Sequence, residues 1–96
     1  MNVAKLLKEK QEEILAIAAR RGAYNVRVFG SVARGTAADA NDIDFLVDLE
    51  RGRTLLDVGG LLMDLRKLLG CDVDIVTEKG INEDFRDEVL KEAIPL

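Results

Sequence analysis

The sequence predicts an α/β fold, a small β-sheet covered by helices, and three observations predict it. Apolar residues recur at helical spacing near the N-terminus and again between Leu55 and Leu69. Three short runs, Tyr24–Phe29, Asp42–Leu49 and Cys71–Thr77, carry β-branched and aromatic residues with period-two patterning. The two kinds of segment interleave as helix, strand, turn, strand, helix, strand, helix, the order of a layered α/β domain. One domain spanning residues 1–96 is expected, because domains usually run to about 50 to 200 residues and nothing here marks an internal boundary.

Residues 2 to 21 read as the first helix, with Val3, Leu6, Leu7, Ile14, Leu15, Ile17 and Ala18 apolar and Gly22 placed to stop it. Its wholly polar middle, Lys8 to Glu13, reads as a solvated face. Tyr24 to Phe29 is the first strand and leads into Gly30-Ser31. Residues 32 to 35 then form a short helical turn, and Thr36 to Asn41 a loop of small residues. In the second strand Ile43, Phe45, Val47 and Leu49 share one face, and Asp42, Asp44, Leu46 and Asp48 the other.

Glu50 to Arg53 turn the chain, and Thr54 with Asp57 has the form of a capping box opening a helix to about Leu69. Leu55, Val58, Leu62, Leu65 and Leu69 are its expected buried stripe. Gly59-Gly60 inside it is expected to admit another backbone at close range, since each glycine costs about 1 kcal/mol there relative to alanine. Gly70 stops the helix. Cys71 to Thr77 is the third strand, with Val73, Ile75 and Thr77 on one face and Asp72, Asp74 and Val76 on the other. Glu78-Lys79-Gly80 is a turn, Asn82 caps a last helix with Phe85, Val89 and Leu90 inward, and Pro95 ends it. Glu83, Asp84, Asp87, Glu88 and Glu92 make that helix an acidic surface.

Charge and composition exclude several functions. A formal net charge of −4 and an isoelectric point near 4.8 argue against a general nucleic-acid binder, whose affinity rests on Lys and Arg neutralising phosphates. A processive polymerase is therefore disfavoured, and no direct nucleic-acid partner is expected. The single cysteine, Cys71, permits no internal disulfide, and the absence of histidine excludes a His-based triad and a typical zinc site. No long apolar run marks a signal peptide or a membrane span, so a cytoplasmic location is expected.

The chemistry concentrates between Gly30 and Asp44. A Gly-Ser step straight after a strand can turn the backbone so that amide N–H groups and a hydroxyl face one point, which suits a phosphate oxygen. Asp42 and Asp44, alternate residues of one strand, lie only about 7 Å apart on one face. Two anions so placed repel unless a cation intervenes, and Mg²⁺ takes hard oxygen ligands and substrate phosphates together. Asp39, Asp48 and Asp72 are assigned to solvent.

Gly30-Ser31, the intervening loop, then Asp42-Ile43-Asp44 resembles the signature of the DNA polymerase β-type nucleotidyltransferase superfamily. Gly30-Ser31-Val32-Ala33-Arg34-Gly35 and Asp42-Ile43-Asp44-Phe45-Leu46-Val47 are most similar to its smallest members, the minimal nucleotidyltransferases of HEPN/MNT toxin–antitoxin pairs. The resemblance covers roughly residues 20 to 96; Asn41 departs from it, standing where a serine is common. It implies the nucleotidyltransferase fold, with a small mixed β-sheet, and a third carboxylate on a later apolar strand, which Val73-Asp74-Ile75-Val76 matches.

The implied roles are those of two-metal phosphoryl transfer. Asp42, Asp44 and Asp74 would hold two Mg²⁺ ions. Gly30 and Ser31, with Arg34, would grip the phosphates of ATP. The implied acceptor is a tyrosine hydroxyl on a HEPN-family toxin, which makes the chain a protein adenylyltransferase and an antitoxin in a hetero-oligomer. Two other functions stay open at this level: an antitoxin that neutralises its partner by binding alone, and a nucleotidyltransferase acting on a small molecule.

Overall fold

The computed structural model describes residues 3–30, 33 and 42–96. Its elements run α1 (Val3–Glu9), α2 (Gln11–Arg20), β1 (Ala23–Phe29), β2 (Asp42–Leu49), α3 (Leu55–Leu69), β3 (Asp72–Thr77), a 3-10 turn (Glu78–Gly80), α4 (Glu83–Glu92) and β4 (Ile94–Pro95). The strands form one mixed sheet in the order β3-β2-β1-β4. β1 is antiparallel to β2 and to β4, whereas β2 and β3 are parallel. Parallel neighbours need a crossover connection, and α3 supplies it.

Alternation along the strands decides which face the helices cover. Ile43, Phe45 and Val47 of β2, Val28 of β1 and Val73 of β3 pack against Ile14 and Ala18 of α2 and Leu61, Leu65 and Leu69 of α3. Ile43, Phe45, Ile14 and Leu61 are fully buried, so this layer supplies most of the hydrophobic stabilisation. The carboxylates of β2 point to the other face. That face is not wholly wet, since Leu46 is also fully buried, with Arg27 of β1 and Val76 of β3 as its ladder neighbours.

The start and stop of α3 match the predicted chemistry. The Thr54 side chain accepts from Leu56 N–H, and the Asp57 carboxylate accepts from Thr54 N–H at 3.1 Å. At the other end Gly70 sits in the left-handed region (φ +69°), and its N–H donates to Arg66 O.

Several expectations are corrected. The first helix is interrupted at Lys10 (φ −101°, ψ 6°), although Lys10 N–H→Leu6 O and Ile14 N–H→Lys10 O continue the ladder across it. The polar middle buries nothing that would hold a regular helix there. On α3 the buried stripe is Leu61, Leu65 and Leu69; Leu62 is half-buried and Leu55 is 86% exposed. Leu55 opens the helix, before its axis has brought it over the sheet. Among the described residues it is a side chain, not a backbone, that stands nearest the glycine pair. Gly59 faces open space, and the groove at Gly60 takes the Arg21 guanidinium, which Asp64 holds at 3.1 Å.

The C-terminal part departs furthest from expectation. α4 buries no residue, and Phe85 is 58% exposed. Pro95 does not end the helix. α4 stops at Glu92, and Ile94–Pro95 is an edge strand whose register partners on β1 are Val28 and Arg27. Among the described residues no helix is long and apolar enough to cross a membrane.

Candidate functional site

β1 ends by delivering Gly30 beside the first residues of β2. Phe29 is the register partner of Asp44, so the turn after β1 begins next to the Asp44 carboxylate. Gly30 has φ +75°, a conformation that other residues adopt only with strain, and a Cβ built on it would collide with Asp44 Oδ2. Glycine is required here twice over, by backbone and by space. The Gly30 N–H donates to Glu92 Oε1 at 2.5 Å. Ser31 and Arg34, the other expected phosphate-gripping residues, lie outside the described residues, as do the predicted helical turn apart from Ala33, the Thr36 to Asn41 loop, and Asp39.

The parallel β2–β3 pair sets Asp42 opposite Asp72 and Asp44 opposite Asp74. Register partners on neighbouring strands share a face, so four carboxylates leave one side of the sheet at the N-terminal ends of these strands. Their surroundings separate them. Asp72 is exposed, as expected, and pairs at the surface with Arg66 at 2.9 Å. Asp44 is half-buried against Gly30. Asp42 and Asp74 are exposed and make no hydrogen bond or ion pair among the described residues.

Among the described residues no three acidic, His or Cys side chains are drawn together into a ready-made cage. The donor set nevertheless fits a hard divalent cation. It is all oxygen, it stands on one face of two adjacent strands, and it lies beside a turn without a Cβ.

The opposite end of the same strands is built from ion pairs. Arg27, 9% exposed, reaches Asp48 at 3.2 Å and Glu78 at 3.4 Å, and Arg86 joins Glu78 at 3.2 Å. Asp48 also accepts from Asn25 Nδ2, so it belongs to this network and not to solvent. A cavity of about 880 Å³ opens here, lined by Tyr24, Arg53, Thr77, Lys79 and Arg86 among others. The Arg53 and Arg86 cations that line it are already paired within the chain, and Asp42 and Asp74 stand in the N-terminal halves of their strands, away from it. Cavity size therefore does not locate the chemistry. Burial, then the Asp72 and Asp42 charges, push the Cys71 thiol up, so it is no activated nucleophile.

Two residues at this face are not evident from sequence. Arg27 stands between Val26 and Val28, and only the strand register shows that it sits under the ion-pair network. Glu92 reads in sequence as part of the acidic surface of the last helix, yet its carboxylate reaches the Gly30 amide, a contact that helical periodicity cannot signal.

Known proteins resemble this chain over most of its length. The nucleotidyltransferase domain family matches residues 5–96. A protein adenylyltransferase of Thermococcus cleftensis, named MntA, is 35% identical over 96% of this chain and 98% of its own length. A solved structure described as a minimal nucleotidyltransferase superposes with a TM-score of 0.87 at 51% identity, covering 100% of this chain and 97% of the other. A toxin–antitoxin crystal structure with AMP-PNP shares the fold, with a TM-score of 0.74 at 22% identity over 88% of this chain and 70% of that one.

Proposed function

This chain belongs to the nucleotidyltransferase domain family, and from that membership we propose that it is a Mg²⁺-dependent protein adenylyltransferase that moves AMP from ATP to a tyrosine hydroxyl of a HEPN-family toxin. It acts as the antitoxin of that pair, in the cytoplasm and in a hetero-oligomer with its target. What carries the reading is one relationship: Asp44 and Asp74 are register partners on parallel strands, with Asp42 on the same face and the Gly30 turn beside them.

Asp42, Asp44 and Asp74 would hold two Mg²⁺ ions, which when bound neutralise the triphosphate and acidify the attacking hydroxyl. Asp42 and Asp44 present their oxygens from one strand, and Asp74 adds a third carboxylate from the next. The turn at Gly30 and Ser31, with Arg34, holds the β- and γ-phosphates and keeps the α-phosphorus in line with the acceptor. The acceptor oxygen forms a bond to that phosphorus, the bond to the bridging oxygen breaks, and pyrophosphate leaves. The acceptor's proton passes to a site carboxylate. The tyrosine has to come from another molecule, since Tyr24, the chain's only tyrosine, stands near the opposite end of β1, level with Asp48.

The relatives support the chemistry and the partner class. One is named a protein adenylyltransferase, and a more distant fold relative is a toxin–antitoxin structure with AMP-PNP. Intact-mass spectrometry of the toxin after incubation with this protein and Mg-ATP is the test. An adenylyl mass gain that disappears with Asp42→Asn/Asp44→Asn is expected. No gain, with toxicity relieved equally by both proteins, would assign the role to binding alone.

A further inference from the structure

Gly30 lies between two carboxylates. Asp44 Oδ2 occupies the space where a Cβ would stand, and Glu92 Oε1 accepts from the N–H at 2.5 Å. The second contact is a charge-assisted bond to an amide at the turn assigned above to nucleotide phosphate, so this inference rests on that reading. One N–H cannot serve two anions. A phosphate oxygen entering here must displace Glu92 or leave that amide unused.

The two carboxylates are not equally able to yield. Asp44 is anchored in β2, between Phe29 and Asp74, and is one of the metal-holding residues proposed above. Glu92 is the last residue of α4, a helix that buries nothing. The C-terminal residues beyond it set its direction: Ile94 and Pro95 pair with Val28 and Arg27, and Leu96 N–H donates to Val26 O at 3.0 Å. These contacts hold the end of α4 level with Gly30.

We propose that Glu92 is an internal competitor for the nucleotide: its carboxylate holds the Gly30 amide until a phosphate oxygen replaces it, so that occupancy of the nucleotide site and the seating of α4 exclude one another. Glu92 is then a residue that sets nucleotide affinity without touching the reacting atoms. Nucleotide binding releases the end of α4 from the turn.

The test is calorimetric titration of tripolyphosphate and of Mg-ATP into the full chain, wild type, Glu92→Gln and Glu92→Ala. Glutamine keeps a carbonyl acceptor for the Gly30 N–H and removes the charge, so folding is preserved. Charged acceptors hold an amide more firmly than neutral ones, and both variants are expected to bind about three- to tenfold tighter than wild type. In amide NMR spectra the Gly30 proton should shift when wild type binds tripolyphosphate, and should already be shifted in ligand-free Glu92→Ala. Equal or weaker binding by the variants overturns the competitor and leaves Glu92 as the cap that ends the β1 ladder, with the nucleotide reading intact. Absence of any binding in all three proteins overturns both readings together.

Discussion

Asp44 faces Asp74 across the parallel β2–β3 pair while Phe29 flanks it from β1, so the carboxylate nearest the turn is held from both sides by sheet hydrogen bonding. Its two acidic companions, Asp42 and Asp74, are exposed. This difference separates what each carboxylate does for the fold from what it does in the reaction.

Asp42→Asn and Asp74→Asn should each abolish transfer yet leave the metal-free protein as stable as wild type or slightly more so, within about 0.5 kcal/mol. Removing one of several like charges from a face relieves repulsion. Thermal melts in EDTA, set beside the mass assay, check this. A large fall in Tm would make the residue structural.

Gly30→Ala should cost about 1–2 kcal/mol for the left-handed backbone alone, and more for the displaced Asp44 carboxylate. Transfer should be lost with it. Urea denaturation gives the stability, and Mg-ATP titration shows whether the turn still binds.

Leu61→Ala should cost about 2–5 kcal/mol, because Leu61 is fully buried between α3 and the sheet. Leu55→Ala, 86% exposed on the same helix, should stay within about 0.5 kcal/mol. Chemical denaturation of both variants measures the contrast, and equal losses would contradict the placement of the buried stripe.

The Thr54 N–H, followed by the Arg53 guanidinium, holds the Asp57 carboxyl below its ordinary value of 3.8. A carboxyl depressed on folding stabilises the folded state above its unfolded pKa, and that contribution disappears as pH falls through the folded value. The stability gap between wild type and Asp57→Asn should therefore be open at neutral pH and close below about pH 3.8. Denaturation curves across pH test this, and a gap that widens on acidification would reverse the assignment.

The sequence made legible whatever depends on short range. Alternation along Asp42–Leu49 placed Ile43 and Phe45 inward and Asp42 and Asp44 outward, and Thr54, Asp57 and Gly70 marked the ends of α3. Family resemblance, not spacing, singled out Asp74. What stayed hidden depends on partners distant in the chain. Arg21 fills the groove at Gly60 from another helix, Arg27 is neutralised by Glu78 from beyond β3, and Glu92 reaches a turn sixty-two residues earlier. Leu55 misled because periodicity gives the apolar side of a helix and not how far along its axis the core extends.

The two-residue strand β4 has a consequence for aggregation. It covers β1 at Arg27 and Val28, and its Pro95 offers no N–H with which a further strand could pair. At the other edge β3 is guarded by the charges of Asp72 and Asp74. Stripping Ile94–Leu96 from the chain would bare the valine-bearing edge of β1 beside Val26 and Val28, an invitation to intermolecular pairing. The shortest strand in the sheet is the one that keeps it from growing.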